Sequence, residues 1–342
     1  MPEPLAPRTT LRLGGPAEEL VEAGTEDEVV AAVAGADATG RSTLVLGGGS
    51  NVVVADDGFP GLVVDVATRG VHVESDLCGG AFATVAAGES WEELVARSVS
   101  EGWIGIEALS GIPGRVGATP IQNVGAYGQE VSDTIARVRA WDRESDRVTT
   151  FFPDQCGFGY RTSRFKEHPG RHVVLSVTFQ LRLGDLGAPV RYAELAELLG
   201  VAVGDRAPLP DVREAVLRLR RRKGMVLDAA DHDTWSAGSF FTNPLLDGAH
   251  VPDGAPRWAQ SDGRVKTSAA WLIERAGFAK GYALDRPPGR VGLSRKHTLA
   301  LTNRGGATTA ELLALAAEVR DGVRDRFGVT LVNEPVLVGC SL

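Results

Sequence analysis

The chain is poor in the residues and spacings that mark several large protein classes. It has three cysteines in 342 residues, Cys78, Cys156 and Cys340. An odd number without a CxxC pair argues against a disulfide scaffold or a cysteine zinc site, and a reducing cytoplasm is the expected setting. The six histidines show no metal spacing such as HxxxH on a helix (Pro169 and Gly170 lie between His168 and His172), so no metal is expected. There is no basic-then-apolar leader and no apolar run long enough to cross a bilayer, so neither secretion nor a membrane partner is expected. Positive charge is not in excess: Lys+Arg is 36 and Asp+Glu 44, a net charge of −8, which argues against a nucleic-acid partner. A GxGxxG dinucleotide fingerprint, a Walker loop and a GxSxG elbow are all missing.

What is abundant is glycine. With 42 glycines and 18 prolines, these two residues make up roughly a sixth of the chain, against about 12% in average proteins. The excess is neither a repeat nor a low-complexity tract, and it clusters. Around the clusters the chain reads as mixed α and β. Thr25 with Glu28 is a capping-box pattern ahead of Val29, Val30 and Val33, which predicts a helix. Thr43 to Leu46 reads as a buried strand, broken by Gly47-Gly48-Gly49-Ser50-Asn51 and resumed at Val52. Strands are expected over 62–66, 71–73 and 82–87, and Ser90 with Glu93 opens a helix to about 100. From 102 to 128 periodicity vanishes under seven glycines and two prolines. The apolar content of that stretch argues against disorder, and a long irregular segment of this kind points to function. Strands return over 135–141, 148–152 and 173–181. Helices are expected over 211–223, over 268–276 and after Thr308 with Glu311, and a last strand over 331–338. A domain boundary is expected near Lys223, where the composition turns polar and acidic.

Five segments carry candidate chemistry. The triple glycine of 47–49 brings backbone N–H groups close enough for a phosphate, or simply turns the chain between two strands. The stretch 111–128 supplies a second glycine-dense loop, with Gln122 and Asn123 offering amides suited to a heteroaromatic edge. Arg161, in YRTSRFK, offers a planar fork for a carboxylate, against the alternative of a solvated basic surface. Ser239 lies among Phe240 and Phe241, a placement that suits a partly desolvated hydroxyl or a loop anchor. Glu334 is a carboxylate in an apolar strand, either an ion-pair partner or a reacting group. The run Arg220 to Lys223 ends a helix, where the helix dipole accounts for it as readily as a phosphate does. Cys156 has no base partner and reads as a buried small residue.

In this order the segments LGGGSN (46–51), GIPGRVGATPIQNVGAYG (111–128), YRTSRFK (160–166), GSFFTNP (238–244), AAWLIERAG (269–277), KHTLALTN (296–303) and NEP (333–335) resemble the UDP-N-acetylenolpyruvoylglucosamine reductase family, also called UDP-N-acetylmuramate dehydrogenases, over nearly the whole chain. The resemblance implies an α+β protein. It would have a two-part FAD-binding module of the vanillyl-alcohol-oxidase type over 1–67 and 68–223, a C-terminal α/β UDP-sugar domain over 224–328, and a strand with Glu334 over 329–342. It further implies NADPH-dependent, FAD-mediated reduction of UDP-N-acetylglucosamine enolpyruvate by a cytoplasmic monomer of peptidoglycan synthesis.

The resemblance assigns Arg161, Ser239 and Glu334 to catalysis. Ser239 would be the proton donor to C2, and Arg161 and Glu334 would stabilise the substrate carboxylate. It assigns FAD, held non-covalently, to Gly47, Gly48, Gly49, Ser50 and Asn51, to Gly111, Ile112, Pro113, Gly114, Gly117 and Ala118, and to Gln122, Asn123, Gly125, Ala126 and Tyr127. No His or Cys lies between 79 and 152 to tether a flavin there. The substrate falls to Lys223, Asn243, Trp258, Lys266 and His297, and to Tyr192, the covering tyrosine of the longer subclass. Two departures stand out: the stretch between Lys223 and Ser239 is longer and more acidic than the family's, and His297 stands where some members have glutamine.

Overall fold

The computed structural model describes residues 3–76, 79–260 and 262–342. Cys78 lies outside the described residues. The chain divides into two bodies. One is built from residues 17–48 and 60–222, the other from 1–16, 49–59 and 223–342.

The first body is organised by two sheets. Strand Thr43–Leu46 runs parallel to Phe59–Val66, with Leu44 opposite Val63, and helix Glu26–Ala38 precedes it. The expected capping box is made in full: Thr25 Oγ1 accepts from Glu28 N at 3.2 Å, and Glu28 Oε2 accepts from Thr25 N at 3.2 Å. The larger sheet runs antiparallel in the order Arg147–Phe151, Ile135–Asp142, His172–Leu183, Gly80–Ala86, Val71–Asp76. Gly80–Ala86 alternates as a half-buried strand should, with Ala81, Ala83 and Val85 inward. His172–Leu183, at the centre, is buried almost throughout from Val173 to Phe179. Phe179 packs on Trp91, the first residue of helix Trp91–Ser100, with ring centroids 5.8 Å apart. That helix has only the serine half of its box, Ser90 Oγ accepting from Glu93 N.

Helix Leu209–Arg222 begins two residues before the expected 211 and ends one residue earlier than expected. Pro210 suits a first turn, where no intrahelical N–H is needed, and Gly224, at φ +64°, adopts the left-handed conformation that stops a helix.

The second body closes around helix Thr309–Phe327. Its Thr308–Glu311 capping box is complete, and Leu312, Leu315, Val319 and Val323 are buried. They pack with Leu11, Leu13, Val53, Phe240, Phe241, Leu272 and Leu331 in one core. Strand Val52–Val54 pairs in parallel with Val336–Val338. The expected strand over 331–338 is therefore too long. Pro335 has no N–H to give a ladder, and Asn333 makes an isolated antiparallel bridge to Phe241 instead. Glu334 sits in the link between that bridge and the strand, not inside a strand.

Candidate active site

In the first body the two glycine-rich segments meet. The loop 111–118 is laid against 87–91 by three backbone bonds: Trp91 N to Gly114 O at 3.1 Å, Val116 N to Glu89 O at 2.9 Å and Gly117 N to Ala87 O at 2.9 Å. A Cβ on Gly48 would lie 2.6 Å from Gly114 Cα, and one on Gly117 would lie 2.5 Å from Ala87 Cβ. Only glycine lets these main chains approach so closely. Arg115 locks the loop from behind, donating to the carboxylate of Asp65 and to Val66 O. Asp65 is buried. Arg115 lies within the 111–128 motif, but no motif marks Asp65 as its partner.

Arg161 is not a solvated surface charge. It lies at φ +54°, and its guanidinium donates to Gly125 O at 2.7 Å and Asn123 O at 3.4 Å, with Tyr160 beneath it at 5.4 Å. A Cβ on Gly125 would stand 3.2 Å from Arg161 Nη1, so glycine there keeps the carbonyl within reach. Lys166 Nζ donates to Arg161 O at 2.9 Å, and Ser163 Oγ to Ile121 O at 2.5 Å, which ties the 160–166 turn to the glycine-rich stretch.

Asn123, expected to face a ring edge, has its side chain committed inside the protein. Nδ2 donates to Glu130 at 2.8 Å and to Gly159 O at 3.1 Å, while Oδ1 accepts from Ser132 N. It is 1% exposed, at φ +46°. Tyr127, also left-handed at φ +50°, meets Tyr192 edge to face at 5.7 Å, and Arg191 donates to Gly128 O. Arg220 is buried at its Nε, and burial lowers its pKa to about 10 against the opposing pull of Tyr127 and Glu92. The helix dipole alone does not account for that burial.

In the second body, GSFFTNP and NEP lie side by side. Glu334 N donates to Phe240 O at 2.8 Å and Thr242 N to Val332 O at 3.0 Å. The structure thus brings Ser239 and Glu334 onto adjacent backbone segments. Phe240 and Phe241 are both 1% exposed and 5.1 Å apart, and they anchor the half-buried Ser239. Asn51 joins the same cluster: its Nδ2 donates to Glu334 O at 3.3 Å, and its carbonyl accepts from Val336 N at 3.0 Å. Gly49, at φ +60°, packs so tightly on Arg8 O that a Cβ would overlap it.

Three of the expected substrate residues gather at one small sheet. Lys266 stands opposite Trp258 on one side and Leu245 on the other. Asn243 Oδ1, just before Leu245, accepts from Ala269 N at the start of helix Ala269–Arg275 at 2.9 Å. Trp258 is 46% exposed. His297 lies in the turn that joins strands Val291–Leu293 and Leu301–Asn303.

Residues 17–150 match the FAD binding domain family, and residues 230–338 match the UDP-N-acetylenolpyruvoylglucosamine reductase C-terminal domain. The chain is 60% identical over 341 residues to the UDP-N-acetylenolpyruvoylglucosamine reductase of Cutibacterium acnes, covering 99% of this chain and 90% of that protein. The chain belongs to the UDP-N-acetylenolpyruvoylglucosamine reductase family. The Streptomyces coelicolor relative is 56% identical, with 99% and 90% covered. The crystal structure of the reductase from Thermus caldophilus superposes with a TM-score of 0.66 at 26% identity, covering 99% of this chain and 98% of that one.

Membership makes the chain an FAD-dependent oxidoreductase of cell-wall precursor synthesis. The first body suits that cofactor on physical grounds. Gly48 and Gly117 let its loops fold main chain on main chain, and glycine-dense turns of this kind are a usual cradle for a pyrophosphate. Sequence reasoning found the loops but not their lock, Arg115 with Asp65, nor the Asn51 link to Glu334. An arginine beside a glycine run and a distant aspartate leave no local signal.

Proposed function

We propose that this chain carries out the NADPH-dependent reduction of UDP-N-acetylglucosamine enolpyruvate to UDP-N-acetylmuramate through Arg161, Ser239 and Glu334. The observation that carries the residue assignment is the bond from Glu334 N to Phe240 O, which seats the proposed acid and the proposed proton donor on neighbouring segments. FAD, when bound, would supply the hydride chemistry that connects NADPH to the vinyl C3. Gly47 to Asn51 and the 111–127 loop are the residues that would hold it.

Addition at C3 builds negative charge at C2 and on the conjugated carboxylate. Arg161, already oriented by two carbonyls, meets that carboxylate with a fixed guanidinium edge. Glu334, in its protonated form, donates a second hydrogen bond to it. Donors preorganised for developing charge contribute about 3 kcal/mol each. Ser239 gives its proton to C2. A serine is a weak acid, and it suffices because the acceptor is enolate-like and strongly basic.

Trp258 takes the uracil face, Lys223, Lys266, Asn243 and His297 the sugar nucleotide, and Tyr192 covers it as in the longer subclass. The labour divides as the sequence borders have it, with cofactor over 1–67 and 68–223, substrate over 224–328 and Glu334 over 329–342. One amendment applies: 1–16 and 49–59 fold with the C-terminal body. We take the enzyme to work as a cytoplasmic monomer with no membrane or nucleic-acid partner. The net charge of −8 supports this reading. Among the described residues no helix is long and apolar enough to cross a membrane.

The experiment mixes purified protein with NADPH without oxygen, follows the flavin absorbance, and then adds the enolpyruvyl sugar nucleotide. Bleaching followed by stoichiometric recovery is expected. Bleaching without recovery would mean another acceptor, and no flavin spectrum after reconstitution with FAD would overturn the reading.

A further inference from the structure

The acidic stretch ahead of Ser239 takes no part in the reaction as written, yet its carboxylates Asp231 and Asp233 are both bonded within the protein. Asp233 is 5% exposed, and its Oδ1 accepts from Arg295 N at 2.9 Å and from Arg304 Nη1 at 2.9 Å. Asp231 pairs with the Lys296 ammonium and accepts from Asp233 N at 3.0 Å. Burial works against the Asp231 charge. Hydrogen bonds from Lys296 and the Asp233 N–H, with Lys296 and Arg304 nearby, outweigh it and hold the carboxyl below its usual range.

These carboxylates grip one side of the turn that bears His297. On its inner side the fully buried Ser294 Oγ accepts from Lys296 N at 3.0 Å and His297 N at 3.3 Å, and Thr298 Oγ1 donates to Glu274 at 2.5 Å. The junction at Lys223 rests on the same stretch. A Cβ on Gly224 would lie 2.9 Å from Asp233 O and 3.5 Å from Lys296 Cδ. Past Asp233 the segment is tied at Trp235 O, which accepts from Asn303 N at 3.0 Å, and at Ser236 O, which accepts from Thr10 Oγ1 at 2.7 Å. Lys296 and Arg304 take their charged partners from these two carboxylates, so removing either one leaves a cation beside the turn without its counter-charge.

We propose that Asp231 and Asp233 are positioning residues for the diphosphate of the sugar nucleotide: they hold the His297 turn and the Lys223–Gly224 junction in one arrangement, so that both present their groups to the same anion. The inference rests on the assignment of Lys223 and His297 to the substrate. It gives the acidic stretch a task at a distance from the reacting atoms. It also predicts that its loss is felt in binding and not in the chemical steps.

The test uses the FAD-loaded enzyme with Asp231→Asn, Asp233→Asn and Asp231→Glu. The readouts are KM and kcat for the enolpyruvyl sugar nucleotide, the affinity for UDP as a plain diphosphate probe, and the melting temperature. Loss of a charged hydrogen bond that orients a binding turn is expected to raise KM and weaken UDP roughly tenfold, with kcat changed less than about twofold. Asp231→Glu, which keeps the charge, is expected to restore most of the binding. A fall in melting temperature with KM and UDP affinity intact would overturn the proposal, as would a loss confined to kcat. Where Asp233→Asn fails to fold, the less buried Asp231→Asn decides. Lys223→Ala and His297→Ala serve as the reference pair. If they leave KM unchanged, the substrate assignment falls and the proposal with it. If they raise KM while the aspartate variants do not, the proposal alone falls.

Discussion

The side-chain amide of Asn51 donates to the main-chain carbonyl of Glu334, at 3.3 Å across 283 residues of sequence. Glu334 N in turn donates to Phe240 O at 2.8 Å. The Glu334 backbone is thus fastened on both sides, to the residue that ends the triple-glycine loop and to the neighbour of Ser239.

Replacing the two groups proposed to react, Ser239 and Glu334, is expected to separate the half-reactions. Ser239→Ala should leave bleaching by NADPH intact and slow recovery by the enolpyruvyl sugar about 10²-fold or more, the usual contribution of a positioned proton donor. Glu334→Gln should slow the same step, by ~10²–10³, the range for a lost preorganised donor. Stopped-flow absorbance reads both steps. Recovery at the parent rate in Ser239→Ala would remove serine from the proton-donor role.

Gly48→Ala tests the meeting of the glycine loops. The new methyl would stand 2.6 Å from Gly114 Cα, backbone against backbone, with no flexible side chain to yield. Overpacking of this kind costs about 1–3 kcal/mol. Weaker FAD retention is expected, read by fluorescence titration of the apoprotein. Unchanged FAD affinity and melting temperature would show that the loops have slack.

His172 should give the fold an acid sensitivity. It stands edge-on to Phe151 and Phe165, at 5.0 and 5.7 Å, and its buried Nδ1 has no hydrogen-bond partner among the described residues. Burial lowers its pKa from the ordinary 6.5, opposed by Asp142 and reinforced by Arg171, Arg164 and His168. With the folded pKa below the unfolded one, the unfolded chain takes up the proton first. Stability is therefore complete above pH 6.5 and falls as pH drops from there toward the lowered value. His172→Phe should flatten that part of the melting-temperature profile. An equally steep fall in the variant would assign the acid loss to other groups.

Cys156 is fully buried, and burial pushes its thiol up to about 12. Alkylation at neutral pH requires a thiolate. Peptide mapping after iodoacetamide treatment should find Cys156 unmodified in the native enzyme and modified once denaturant is added. Rapid native labelling would show that the region around Phe151 and Arg164 opens readily.

What the sequence makes legible here is what is local. The helices that start at Glu26 and Thr309 are marked by capping residues three positions apart, and both boxes form. The irregular stretch from 102 to 128 was marked by its glycines. Pairings across hundreds of residues left no such mark. The strand over 331–338 was drawn too long because its partner on one side, Phe241, contributes a single bridge and Pro335 interrupts the ladder. Asn123 looked like a ligand amide because nothing nearby shows that Glu130 and Gly159 claim it. The task of the acidic stretch is not legible in the sequence, since the partners of Asp231 and Asp233 (Lys296, Arg295 and Arg304) come some sixty to seventy residues later.

The interleaving of the two bodies has a consequence for how the enzyme is made. Leu11, Leu13 and the strand Val52–Val54 belong to a core whose other half includes Val319, Val323 and Leu331. On a ribosome the earlier pieces emerge with their partners still untranslated, and they stay exposed until nearly the whole chain has been released. The body formed by 17–48 and 60–222 is complete long before that point and can fold ahead of it. The order of synthesis thus prescribes an order of assembly, in which Asn51 meets Glu334 among the last events.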